Sequence, residues 1–188
     1  MTIDVVEART LLARAFADDP LMTWFFPDDE ARLHACAAMF GLFAERYLRD
    51  GRVDVVRRER PVAVAMWRLP GAPEEPGTLP TMPGLMPLLM GPAAAERGAA
   101  MSVLADLRPP EPHAYLHLLG VDPALRGQGL GGEALAPGLA AAREAGLVAC
   151  LETMNPRNVP FYEAHGLTVR REVQLGAGGP RVWAMATT

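Results

Sequence analysis

Four glycines and an arginine stand between an apolar run and a run with helical spacing. The stretch 122–133 reads Asp-Pro-Ala-Leu-Arg126-Gly127-Gln128-Gly129-Leu130-Gly131-Gly132-Glu133. Residues 114–121 before it are apolar enough for a buried strand, and 133–145 after it repeat apolar residues as a helix does. A strand feeding a helix through glycines leaves several N–H groups bare at the helix start, where the macrodipole adds partial positive charge. Glycine lets an anion reach that backbone without meeting a Cβ. The chemistry this predicts is a phosphate cradle with Arg126 beside it. The alternative is a tight turn whose glycines only relieve strain.

A dinucleotide is one ligand for such a loop. Gly127, Gly129 and Gly132 fit its fingerprint, and Glu152 closes the next apolar run, where a ribose-binding acid stands. A dinucleotide turn follows its strand directly, however, and here residues 122–126 intervene. Only 153–188 remain after Glu152, too little for the rest of a doubly wound sheet. An NAD-linked oxidoreductase is therefore the alternative reading.

Other chemistries lack their residues. All eighteen basic residues are arginine, so there is neither a P-loop lysine nor a Schiff-base lysine. Ser102 is the single serine and has no Gly-x-Ser-x-Gly context. His34, His113, His117 and His165 show no metal-ligand spacing, so no metal is expected. Cys36 and Cys150 sit in apolar patterns and read as core residues in a reducing cytoplasm. A net charge of −4 gives no footprint for nucleic acid or an anionic membrane. No run approaches a membrane span, and the start lacks the pattern of a signal peptide.

The elements that must position the loop follow from periodicity. Residues 4–17 read as a helix ended by Asp18-Asp19-Pro20, and 21–27 as a short apolar connection. Asp28 or Asp29 caps a second helix that stops at Asp50-Gly51. Residues 52–56 and 61–69 read as an antiparallel hairpin. Six prolines and four glycines in 71–92 exclude continuous helix or strand there, and its apolar residues predict short helical turns packed against something. Residues 93–107 read as one helix. Residues 113–121 and 147–154 are two central strands joined by the helix after the loop, a βαβ unit with parallel strands and an expected bend at Pro137. A short helix ending at Gly166 and a closing hairpin, 168–175 with 181–187, complete a single domain of 188 residues.

Three segments stand in register: the loop from Arg126 to Gly131, the strand ending Leu151-Glu152-Thr153, and Asn155 through Tyr162 to Gly166. Together they resemble the acetyl-coenzyme A-dependent N-acetyltransferases related to GCN5, the GNAT superfamily. The pieces Ala15 to Pro20, Ala63 to Trp67 and Pro156 to Glu163 further resemble its puromycin N-acetyltransferase branch. The resemblance implies an α/β (α+β) fold. Its sheet is mixed and mostly antiparallel, with helices on both faces and a central parallel strand pair splayed around acetyl-CoA. The family's first strand has no counterpart before residue 4, so it reads as truncated.

The same resemblance implies roles. The backbone of Arg126, Gly127, Gln128, Gly129, Leu130, Gly131 and Gly132 would hold the pyrophosphate of acetyl-CoA. Leu119, Gly120 and Val121 would bond its pantetheine arm through their main chain. Asn155 and Asn158 match coenzyme-side positions, although as residue types they equally serve as turn formers or caps. Tyr162 matches the general acid that protonates the departing thiolate. Glu152 and His117 are candidates to relay a proton from the amine. Glu152 equally reads as a structural acceptor, and alternation from Tyr115 through Leu119 makes His117 a core residue. Trp24, Phe25, Met82 and Met86, with His117, would line the acceptor pocket between 21–26, 79–90 and the last hairpin. The reading is an N-acetyltransferase acting on a small, apolar or aromatic amine, cytoplasmic, and a monomer or homodimer. A coenzyme A-binding module without transfer activity is a further alternative.

Overall fold

In the first turn Asp4 and Glu7 form a capping box, each side chain accepting from the other's backbone N–H, so helix α1 begins at once (Val5–Phe16). The computed structural model describes residues 2–72 and 81–188. Asp19 accepts from the Leu21 N–H at 2.9 Å and Pro20 occupies the first helical position, which starts a six-residue helix, α2 (Pro20–Phe25). The sequence reading had placed an irregular connection there. The Asp-Pro pair that ends α1 also opens the next helix, because proline is favoured at a helix start. Asp28 caps α3 (Asp29–Asp50), as expected.

Strands β1 (Arg52–Arg57) and β2 (Pro61–Arg68) form the antiparallel hairpin. Residues 73–80 of the Pro-rich segment, Leu79 among them, lie outside the described residues. In the rest, the short helical turns expected there take the form of one nine-residue helix, α4 (Met82–Met90). Pro83 falls in its first turn, where a missing N–H costs nothing, and only Pro87 interrupts the ladder. Burial of Met82, with Met86, Leu89 and Met90 packed against the same core, outweighs that loss. The expected helix 93–107 is instead α5 (Ala94–Met101) followed by tighter 3₁₀ winding over Ser102–Leu107.

Strands β3 (His113–Val121), β4 (Val148–Thr153), β5 (Thr168–Gln174) and β6 (Arg181–Ala186) complete one six-stranded sheet in the order β1-β2-β3-β4-β6-β5. Only β3 and β4 are parallel, joined through α6 (Leu130–Glu144). Helix α6 runs unbroken through Pro137. Helix α7 (Val159–Glu163) follows a 3₁₀ turn, and the chain leaves it through Gly166 at φ +84°.

Strand β2 shows how the sheet separates two cores. Val64 and Met66 pack toward α1 and α3, whereas Ala63, Ala65 and Trp67 pack toward α6. Gly138 in α6 makes the second core possible. A Cβ there would come within 2.1 Å of the Trp67 ring. The thiols of Cys36 and Cys150 are buried and free, and burial pushes both up to about 12, which keeps them inert. No described helix is long and apolar enough to cross a membrane, and no metal-holding group of His, Cys, Asp or Glu occurs among the described residues.

Candidate functional site

The glycine loop is anchored by a buried acid before it reaches the helix. Asp122 is 1% exposed. It accepts from the Ala124 N–H and from Arg60, and Arg14 lies 3.7 Å away. Burial alone would raise its pKa, but these partners together hold the carboxyl below its ordinary value. The chain then turns through Gly127 and Gly129 at φ +79° and +77°, a region closed to most side chains. A Cβ at either position would meet nothing within 4 Å, so both face open space. Gly129 leads into α6 with no capping side chain among the described residues, which leaves the first N–H groups available to a ligand. Gly131 and Gly132 serve differently, because Cβ atoms there would press on Phe161 at 3.3 Å and His165 at 2.7 Å. They let α7 approach the helix start.

Strands β3 and β4 pair over only three residues, from His113 with Val148 to Tyr115 with Cys150, and then part. A bulge helps to open them. Trp67 pairs with Leu116 and Met66 with Leu118, so His117 is the extra residue in β3. The bulge reverses the alternation expected there. Tyr115 and His117 stack on one face with ring centroids 5.6 Å apart, while Leu119 packs on the α6 side with Val121. Residues 116–121 thus keep a backbone edge that no described part of β4 pairs with.

That open edge borders a cavity of about 550 Å³. Leu119, Val121, Arg126, Gly127, Gly129, Leu130 and Gly131 line it on one side, and Asn155, Asn158, Phe161 and Tyr162 on the other. A helix start with free N–H groups and an unpaired strand edge on one cleft are the features that can bond an anion and an extended chain.

A second cavity of about 430 Å³ lies between the helices on the α1/α3 face and the parted strands. Phe25, Met82, Met86 and His117 line it. Near its polar end Glu152 is held twice. Its Oε1 accepts from Arg108 at 3.1 Å and its Oε2 from the Tyr115 hydroxyl at 2.6 Å, with the two charged side chains 10% and 3% exposed. Arg108 also lies 3.9 Å over the Tyr115 ring. Burial, then the charge of Glu152, raises the Tyr115 pKa well above its usual value and keeps the phenol a donor.

The two cavities share Phe16, Asp19, Leu119, Asn158 and Tyr162. Tyr162 is 7% exposed, and burial, then the nearby charge of Asp19, raises its pKa, so the hydroxyl stays protonated. Asp19 is pushed up to about 6 by burial, against the Leu21 N–H and Arg126, which pull it down. The sequence reading gives Asp19 as part of the Asp-Asp-Pro end of the first helix. The Asp-Pro-Leu signature of a second helix start was the signal that it is held at a fixed place.

Several expected site residues stand elsewhere. Trp24 does not line the acceptor cavity, because its ring packs beside Arg97, 5.6 Å from the guanidinium, and near Gly176 of the last hairpin turn. Arg126 borders the coenzyme cavity, but its Nη2 donates to the Ala15 carbonyl at 2.6 Å and ties the loop to the end of α1. Gln128 is exposed on the loop. Gly120 faces α1, where a Cβ would meet Leu12 at 3.0 Å, so only its backbone can serve a ligand. Asn155 caps the 3₁₀ turn before α7 by accepting from the Arg157 N–H. Asn158 donates to the Thr153 hydroxyl.

Residues 91–167, from the end of α4 through α7, match the acetyltransferase (GNAT) family model. That segment is similar to the acetyltransferases of the GNAT family. A structure from Corynebacterium glutamicum, named for histone acetyltransferase HPA2 and related acetyltransferase, aligns with a TM-score of 0.75 and 26% identity. The alignment covers 100% of this chain and 92% of that one. A mosquito arylalkylamine N-acetyltransferase-like protein shares the fold at 14% identity, with a TM-score of 0.54 over 97% and 94% of the two chains. A polyamine N-acetyltransferase of Drosophila melanogaster does so at 18% identity, with a TM-score of 0.51 over 98% and 96%.

The six-stranded, mostly antiparallel sheet with one parallel pair is the GNAT fold, and GNAT acetyltransferases take their acetyl group from acetyl-CoA. The matched segment contains the glycine loop, the part of β3 beyond its pairing with β4, and Tyr162. The acceptor cavity draws many of its walls from residues before the segment, in α2, α3 and α4.

Proposed function

We propose that this chain is a single N-acetyltransferase domain that moves an acetyl group from acetyl-CoA to the primary amine of a small apolar or aromatic molecule by direct attack. One observation carries the reading: the coenzyme cavity and the apolar cavity meet at Tyr162 and Asp19. A thioester laid along β3 and an amine entering from the methionine-lined side would be brought together there, which supplies the proximity such a reaction needs.

Asp19 accepts a proton from the incoming ammonium. A carboxyl near 6 is ionised at neutral pH yet basic enough to serve. The neutral amine attacks the thioester carbonyl to form a C–N bond, and as the C–S bond breaks the Tyr162 hydroxyl donates to the sulfur while the proton shed by the attacking nitrogen restores the phenol. Burial raises the phenol's pKa, but the same dry surroundings raise the basicity of the thiolate that leaves into them. Glu152 has both oxygens committed to Arg108 and Tyr115, so its part is to hold the parted strands and not to take the proton.

Release of free thiol from acetyl-CoA across a panel of primary amines tests the reaction. Thermal shift separates it from the oxidoreductase alternative. Acetyl-CoA at 100 times its Kd stabilises by about 2.7 kcal/mol, and NAD should leave the melting temperature unchanged. Stabilisation by NAD alone, with no thiol release, would overturn the reading.

A further inference from the structure

Seven of the chain's ten methionines line the acceptor cavity. Met82, Met86 and Met90 come from α4. Met22 and Met39 come from α2 and α3, Met101 ends α5, and Met154 follows β4. Two others, Met66 and Met185, are buried in the sheet. The coenzyme cavity, by contrast, has no methionine among its described lining residues. The thioethers are concentrated where the acceptor must fit.

An unbranched side chain with three rotatable bonds and a polarisable sulfur fills irregular space and changes rotamer cheaply. A wall made for one shape uses branched, stiff residues with a single preferred rotamer. The polar groups at the cavity are placed differently. Asp19 is fixed by its hydrogen bond to α2, Tyr162 is buried, and Glu152 is clamped between Arg108 and Tyr115. The cavity therefore joins a rigid reacting end to an adaptable apolar body. Helix α4, which contributes three of the methionines, has no side-chain cap among the described residues and carries Pro87 inside it.

Resting on the acetyl-transfer reading, we propose that the cavity is polyspecific. It takes primary amines whose apolar bodies differ in shape, flat aromatic and flexible aliphatic alike, and selects them by buried apolar area. Surfaces that recognise many partners use methionine in this way.

The test compares amines of eight carbons and different shape: 2-phenylethylamine, 2-cyclohexylethylamine and n-octylamine. Thiol release with acetyl-CoA should give kcat/KM values within about tenfold of one another. Along n-butyl, n-pentyl and n-hexylamine, kcat/KM should rise about three- to fourfold per methylene, the value of burying one CH₂. The double variant Met86→Ile/Met90→Ile, stiff at χ1, should widen the spread among shapes beyond tenfold and leave the acetyl-CoA Kd unaltered. A preference of the unaltered chain for one amine by a thousandfold over its size-matched partners would overturn the proposal and leave acetyl transfer intact. So would a folded double variant that lowers every amine equally. Calorimetric titration of the same amines without coenzyme separates the two readings. Saturable binding of several shapes with no thiol release would overturn acetyl transfer and uphold the breadth. Binding of none would overturn the breadth. If the double variant does not fold, the comparison of shapes in the unaltered chain decides alone.

Discussion

The Tyr115 hydroxyl donates a 2.6 Å hydrogen bond to Glu152 at the point where the backbones of β3 and β4 cease to pair. A side-chain bridge thus takes over as the main-chain ladder ends, and Arg108 braces it from the far side of the carboxylate. Glu152→Gln keeps the shape and removes the charge. Stability should fall by about 2–3 kcal/mol, the scale of hydrogen bonds to a charged group, as read from urea midpoints. The acid limb of the kcat/KM profile should stay where it is. A variant of normal stability that has lost that limb would make Glu152 the base.

Tyr162→Phe removes one hydroxyl and keeps the buried ring. If that hydroxyl donates to the departing sulfur, kcat should drop by about 10²–10⁴-fold while the acetyl-CoA Kd moves little, because the interaction matters in the transition state. Single-turnover kinetics provide the measurement. Near-normal turnover with chemistry limiting would make Tyr162 a packing residue.

Asp19→Asn preserves the cap on α2, since asparagine caps as well as aspartate. In the unaltered chain kcat/KM should decline as pH falls through about 6, and in the variant that limb should vanish along with most of the rate. Stability supplies an independent reading. Burial raises this carboxyl from 3.8 to about 6, so the neutral acid favours the folded state. Its contribution is fully present below about pH 4 and is lost as pH rises through about 6. Melting temperatures across pH 4–7 should therefore rise in the variant relative to the unaltered chain. Parallel melting curves would show that Asp19 is not desolvated.

Gly129 sits at φ +77° facing open space. Valine there would strain the backbone as well as crowd a ligand, which confounds the two effects. Asparagine tolerates the left-handed region better. Gly129→Asn should weaken acetyl-CoA by at least about tenfold in calorimetry with only a small change in melting temperature. Unchanged affinity would remove the phosphate-cradle role from this loop.

The βαβ unit, both hairpins and the capped ends of α1 and α3 were legible because local rules agreed there. Asp4 with Glu7, Asp28 before an apolar stripe, and a Gly-rich turn before Leu130 each point one way. Three features were not legible. Helix α4 depends on tertiary burial that outweighs Pro87, and no local rule sees burial. The bulge at His117 is a property of pairing with β2, so a strict alternation put Leu119 on the wrong face. Asp19 borders both cavities only because the fold brings Leu119, Asn158 and Tyr162, 100 and more residues away in sequence, to the same place. The glycine loop was legible because its residues are consecutive in the chain, whereas Ala15, Phe16 and Asp18 reach the same cavity from α1 and the turn after it. The apolar cavity is assembled from distant pieces, and an apolar residue type in 21–26 does not tell whether a ring lines it, as Phe25 does, or packs beside Arg97, as Trp24 does.

The parting of β3 from β4 has an evolutionary reading. What it offers to a coenzyme is mostly peptide backbone, the edge of 116–121 and the N–H groups at the start of α6, and substitutions that keep the glycines leave those atoms unchanged. The apolar cavity draws its wall from α2, α3, α4 and α5 as well as from the sheet. Drift can therefore rewrite what is modified without disturbing the donor's grip. In such a chain, innovation and inheritance occupy opposite walls of one cleft.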